Sequence, residues 1–166
     1  MPVQSLILYP DPRLRLRAEP VSVFDEDLRR DAADLVAALA RVSAIGLAGP
    51  HVGWLARVVA LRLEPGTPAT IYVNPEIVFA SPETEPQTEG SVSMPGVSDT
   101  VERAARIRLR YADLDGAWHE IESEGFEAAC LQHEIDQLDG IFWIERLSRL
   151  RRDRAVKRYA KARRAA

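Results

Sequence analysis

The stretch Leu131-Gln132-His133-Glu134-Ile135-Asp136-Gln137-Leu138-Asp139-Gly140 constrains this chain more than any other. It reads as the buried last turns of a central helix over residues 124–138, stopped by Gly140 just past the helix end, where glycine is the usual residue. On a helix His133 and Gln137, four residues apart, share one face one turn apart. A second histidine at Gln137 would complete H-E-x-x-H, in which two imidazoles bind a metal and the glutamate serves as base. Here the far position is an amide. Any account of function has to explain that replacement.

The chain has 166 residues, 46% of them hydrophobic, which fits one globular domain over 1–166 with a sizeable core. It has no apolar run of 18 residues, and Met1-Pro2-Val3-Gln4 lacks the charged start of a leader, so the expectation is a cytoplasmic protein with no membrane partner. The single cysteine, Cys130, leaves no internal disulfide and reads as a small core residue. Charge is unevenly spread. Ten of the 22 lysines and arginines follow residue 145, beside one acid, Asp153, so the tail carries +9 and the body −12 of the net −3.

In chain order, Ser5–Tyr9 is a short apolar run ended by Pro10-Asp11-Pro12. Asp25 caps a helix whose buried face is Leu28, Ala32, Leu35, Val36 and Leu39, ending near Ser43. Ile45-Gly46-Leu47-Ala48-Gly49-Pro50-His51-Val52-Gly53 reads by composition as a connecting loop whose glycines allow close backbone approach. Strands are expected at 58–63 and 70–73, and a polar surface loop at 81–90. A hairpin of 107–111 with 117–121 turns at Asp115-Gly116, and a basic helix runs from about 146 to 164. This is an α+β arrangement.

Three separated segments then carry a specific resemblance. Ala44-Ile45-Gly46-Leu47-Ala48-Gly49-Pro50-His51 resembles the peptide deformylase motif Gly-φ-Gly-φ-Ala-Ala-x-Gln. Glu89-Gly90-Ser91-Val92-Ser93 is similar to Glu-Gly-Cys-φ-Ser, and Gln132–Gln137 to Gln-His-Glu-φ-Asp-His. The likeness extends over nearly the whole chain. Peptide deformylases remove the formyl group from the N-terminal methionine of new bacterial polypeptides. The resemblance implies small mixed or antiparallel sheets around a central helix. It also implies a site in which the cysteine and two histidines hold Fe²⁺ or Zn²⁺, the glutamate is the acid/base, and the glutamine stabilises an oxyanion.

Set against that pattern, Ser91 stands at the cysteine, Gln137 at the second histidine and His51 at the glutamine, while His133 and Glu134 remain. A hydroxyl and an amide bind such metals poorly. The expectation is no metal, no other cofactor and no deformylase activity, with Glu134 a vestigial acid/base. Alternatives stay open at this point. His51 and His133 with Glu134 or Gln137 could form a relocated metal site, or His51 could hydrogen-bond Ser91 or Gln137. Ser91 with His51 or His133 could form a nucleophile pair.

The resemblance further implies a cleft lined by Ile45, Gly46, Glu89, Gly90, Val92, Phe126, Ala129 and His133. At the former catalytic positions His51, Ser91, Glu134 and Gln137 complete the expected ligand-binding set. A retained cleft with lost ligands implies a pseudoenzyme that binds an amino-acid-derived or N-acylated ligand or a short peptide, as an accessory or gatekeeper to a partner enzyme in small-molecule biosynthesis. The basic tail, with an apolar stripe of Leu147, Leu150, Val156 and Tyr159, is either a solvated helix or, as in some bacterial deformylases, a ribosome-docking element.

Overall fold

The Asp25 carboxylate accepts the Leu28 N–H at 3.0 Å and starts helix α1 (Glu26–Arg41) in the computed structural model, which describes residues 5–165. Met1–Gln4, considered above for a leader, lies outside the described residues. After α1 come strands β1 (Gly46–Ala48), β2 (Val58–Leu61), β3 (Thr70–Ala80), β4 (Thr84–Ser91), β5 (Met94–Ala104), β6 (Arg106–Ala112) and β7 (Trp118–Glu124). The helices α2 (Gly125–Leu138) and α3 (Arg149–Ala165) close the chain, and short 3-10 turns lie at Pro12–Arg15, Gly49–Val52 and Trp143–Arg146.

Five strands form an antiparallel sheet in the order β1-β2-β3-β6-β7, and β4 and β5 form a separate antiparallel ribbon. Strand β2 explains the layering. All four of its residues are buried, and their side chains alternate between two cores. Val58 and Ala60 pack with Leu28, Leu35 and Leu39 of α1, whereas Val59 and Leu61 pack with Ala128, Leu131, Ile135 and Leu138 of α2. The sheet is therefore covered on both faces there, and each large side chain so buried contributes about 1.5–3 kcal/mol. A third core joins Met94, Val97 and Val101 of β5 to Phe142, Trp143 and Tyr159.

Helix α2 meets the sheet with its apolar residues and the β4–β5 ribbon with its polar ones. Gln132 clamps β5 by accepting the Ala104 N–H at 3.0 Å and donating to the Ala104 carbonyl at 2.9 Å. The helix stops where expected. Gly140 has φ +76, and a Cβ there would lie 2.4 Å from the Arg15 carbonyl oxygen, so both conformation and space require glycine.

Three expectations change. Residues 84–91 are a strand rather than a loop. Its polar composition follows from burial of Glu89 alone, and Pro86 is tolerated because β4 pairs on one side only. The segment read as a connecting loop contains strand β1 and a 3-10 turn. The basic helix begins at Arg149, and its buried residues are Ala155 and Tyr159, while Leu150 is exposed. That helix is held by ion pairs from Arg151 and Arg158 to Asp99 of β5. Among the described residues, no helix is long and apolar enough to cross a membrane.

Candidate functional site

A cavity of about 430 Å³ opens where α2, the edge strand β1 and the β4–β5 ribbon converge. Ile45, Gly46, His51, Glu89, Gly90, Ser91, Val92, Phe126, Ala129, His133 and Glu134 all line it, as the sequence led one to expect. Gln137 does not. Its Nε2 donates to the Leu14 carbonyl at 2.7 Å, and the side chain is buried away from the cavity. Cys130, expected in the core, is half-buried: it touches the core beneath α2 and also forms part of the cavity wall. Burial, reinforced by Glu134 and Glu89, pushes its thiol up to about 12, so it is an inert wall group near neutral pH.

Glu134 approaches the cavity because residue 46 has no side chain. A Cβ on Gly46 would lie 2.8 Å from Glu134 Oε2. Burial, with help from Glu89, raises the Glu134 carboxyl to about 7 against the opposing charge of His133. One of its oxygens, Oε1, has no hydrogen-bond partner.

His133 is fixed from behind. Its Nδ1 lies 2.8 Å from Glu89 Oε1. Burial pushes the Glu89 carboxyl up, but hydrogen bonds from Arg103 and His133 outweigh it and hold the group at about 2. Ionised, Glu89 accepts the Nδ1–H, which turns Nε2 away from the carboxylate. Burial disfavours a charged imidazole at this position, yet the carboxylates of Glu134 and Glu89 overcome it and His133 binds its proton more tightly than usual.

Behind Glu89 runs a buried ionic chain that sequence reasoning missed. Arg103 grips Glu89 with two bonds, at 2.7 and 2.8 Å, and reaches Asp136 at 2.6 Å. Asp136 in turn receives a two-pronged contact from Arg146, at 2.7 and 2.9 Å. The one signal available was Asp136 itself, three residues from His133 on the same helix. Nothing in the β5 sequence marks Arg103.

His51 hydrogen-bonds neither Ser91 nor Gln137. Its Nδ1 accepts the Ala48 N–H at 3.0 Å, closing the 3-10 turn back onto β1. Burial and the nearby charge of His133 lower its pKa to about 3, so the imidazole is neutral. Its Nε2 is buried without a partner. Ser91 Oγ accepts the Ser93 N–H at 3.1 Å, a local turn contact, and no bond joins it to either histidine. Among the described residues, a nitrogen of His51, a nitrogen of His133 and an oxygen of Glu134 lie within 4.8 Å of one another.

With this geometry in view, comparison with known proteins is decisive. A family model described as polypeptide deformylase matches residues 3–153. The chain belongs to the polypeptide deformylase family. A "Peptide deformylase-like" protein of Brucella melitensis is 57% identical over 99% of this chain and 100% of its own length. A "Peptide deformylase" of Nitrobacter hamburgensis is 40% identical over 98% of this chain and 97% of its own. The crystal structure of a peptide deformylase from Legionella pneumophila superposes with a TM-score of 0.91 at 35% identity, covering 98% of this chain and 96% of that one.

The Fe²⁺ or Zn²⁺ that the deformylase resemblance implies does not fit the residues at the three positions which that resemblance assigns to its ligands. A thiolate and two imidazoles would be needed. Ser91 offers a hydroxyl, Gln137 has its amide nitrogen bound to a main-chain carbonyl outside the cavity, and His133 alone remains.

Proposed function

We propose that this deformylase-family protein is a non-catalytic binder of an amino-acid-derived or N-acylated ligand. One observation carries the reading: a hydroxyl, an amide and one imidazole stand at the three positions where the family resemblance places metal ligands, while the cavity beside them stays open and partly lined with apolar side chains. Gln137 has been drawn into the structural frame by Leu14, yet Ile45, Val92, Phe126 and Ala129 still form a pocket within the ~300–1,000 Å³ range of small-molecule sites. The edge strand β1 runs along the same cavity and pairs on one side with β2, which suits an extended, peptide-like ligand. In a cytoplasmic setting such a protein would serve as an accessory that holds a reactive intermediate for a partner enzyme. The test is a melting-temperature screen with N-formyl peptides, acylated amino acids and actinonin, the compound bound in a Synechococcus elongatus deformylase structure of the same fold. Ligands should raise the melting temperature by an amount that grows with the logarithm of their concentration above Kd. Failure of every compound to do so would end the binding reading.

A second reading is favoured by the proximity of His51, His133 and Glu134 within 4.8 Å: a hydrolase with a relocated metal. Elemental analysis of the purified protein, with a deformylase assay in added Fe²⁺, Ni²⁺, Co²⁺ or Zn²⁺, separates the two. Stoichiometric metal with metal-dependent turnover would replace the first reading by the second.

A further inference from the structure

The five-stranded sheet is covered unequally. On one face Ile107, Leu109 and Ile121 pack against α2. On the other, the core beneath α1 takes in Val58, Ala60, Val73 and Ala112. Past Ala112 that second face is exposed along β6 and β7. Side chains alternate across a strand, so β6 turns Arg106, Arg108 and Arg110 outward there, and β7 turns out Trp118, Glu120, Glu122 and Glu124. The register sets Arg106 beside Glu124, Arg108 beside Glu122 and Arg110 beside Glu120. A stripe of arginines therefore runs beside a stripe of glutamates, about 4.8 Å away. Contacts within one copy leave this pattern largely open to a partner. Arg108 lies 3.6 Å from Glu120 and 3.9 Å from Glu122, Arg106 turns to Glu83 at 3.5 Å, and Arg110 lies over the Trp118 ring at 4.4 Å.

We propose that this face docks a second copy of the chain, stripe against stripe. A two-fold axis that lies in the plane of contact, parallel to the strands and between β6 and β7, keeps each residue at its level along the strand and exchanges the two stripes. Arg106, Arg108 and Arg110 of each copy then meet Glu124, Glu122 and Glu120 of the other. An axis across the strands would set arginine on arginine. Pairing two β7 edges about Ile121 would set Glu120 against Glu122, so the charges also steer the copies away from edge-to-edge contact. Trp118, 52% exposed, stands at the end of the stripes as an aromatic anchor, of the kind that dominates interface energies. The stripes cover about 23 Å by 10 Å, well below the ~800 Å² per partner of a standard interface, so the association is weak and depends on concentration. This inference is independent of the ligand reading, because the face lies on the side of the sheet opposite α2, which carries His133 and Glu134.

A charge swap read by sedimentation velocity tests it, over roughly 0.01 to 1 mM protein. Wild type should dimerise toward the upper end of that range and dissociate as salt is raised, since exposed charges are screened. Arg108→Glu and Glu122→Arg should each associate at least about tenfold more weakly, because each puts like charges together twice across the axis. Their equimolar mixture should recover association, since every charge on one variant then meets its opposite on the other. Lys161→Glu, on an exposed site of α3, makes the same change in net charge as Arg108→Glu and should leave association unchanged. Circular dichroism verifies the fold of each variant. Should either fail to fold, Arg106→Glu with Glu124→Arg makes the same exchange one level along the strands. A wild type that stays monomeric up to about 1 mM would overturn the proposal and leave the face to solvent or to another protein. Single variants that associate as tightly as wild type would overturn it, and so would a mixture of folded variants that does not associate.

Discussion

One turn apart on α2, His133 and Gln137 occupy different worlds. His133 faces the cavity and is backed by Glu89, Arg103 and Asp136, an ionic chain almost wholly removed from water. Gln137 faces the 3-10 turn at Pro12–Arg15 and makes one neutral bond to the Leu14 carbonyl. The difference teaches that two positions one turn apart on a helix can be fixed by unlike partners. The Gln137 amide is held by the main-chain frame, whereas the His133 imidazole is steadied by buried charges.

The largest expected effect comes from replacing that amide. In Gln137→His with Ser91→Cys, one N–H of the new imidazole can donate to Leu14 C=O, as metal-bound histidines commonly do to main-chain carbonyls. Its other nitrogen is then free for a metal. Complete zinc sites in small peptides contribute about 10–16 kcal/mol. Elemental analysis should find near-stoichiometric zinc or iron in the double variant. A folded, metal-free variant would mean that position 137 is closed to the cavity for any side chain.

Next in size is Arg103→Met, which leaves Glu89 and Asp136 buried without their shared cation. Breaking a buried ionic pair from one side costs about 3–5 kcal/mol. Urea denaturation should show that loss, and a change below about 1 kcal/mol would mean the chain is better hydrated than its burial implies.

Glu134 gives a pH test with a definite sign. Its carboxyl is raised to about 7 from 4.5. The stability it contributes is complete below pH 4.5 and is lost as the pH rises through 7, by up to about 3 kcal/mol. Glu134→Gln should flatten that decline. Glu89, held at about 2, works in the opposite direction: its contribution is present above pH 4.5 and lost as the pH falls toward 2. Denaturation curves for wild type and Glu134→Gln between pH 4 and 8 that run parallel would contradict this assignment.

Gln137→Leu sharpens the contrast with the smallest effect. It strands one buried carbonyl and should cost about 1–3 kcal/mol in stability. Ligand affinity should stay within about twofold, since the Gln137 amide is bonded to Leu14 and is not among the groups that line the cavity. A large loss of affinity would bring Gln137 back to the cavity.

The sequence by itself determined the helix over 125–138, its glycine stop, the β6–β7 hairpin and the family, because these rest on local periodicity, turn chemistry and ordered motifs. It also brought Ile45, Gly46, Glu89, Gly90, Ser91, Phe126, His133 and Glu134 to one cavity through the motif resemblance. Strand β4 escaped because its pairing with β5 is made by main-chain bonds, which leave no hydrophobic pattern in Thr84–Ser91. Arg103 escaped because a buried arginine and an exposed one read alike until their carboxylate partners are placed. The fates of His51 and Gln137 belonged to tertiary structure alone. Helical spacing put Gln137 on the His133 face, but the chain around Leu14, more than a hundred residues earlier, captured its amide. For His51, a single main-chain N–H on β1 fixed which ring nitrogen is occupied. Such choices are made by hydrogen-bond partners distant in sequence or set by backbone direction, and side-chain identity alone does not encode either.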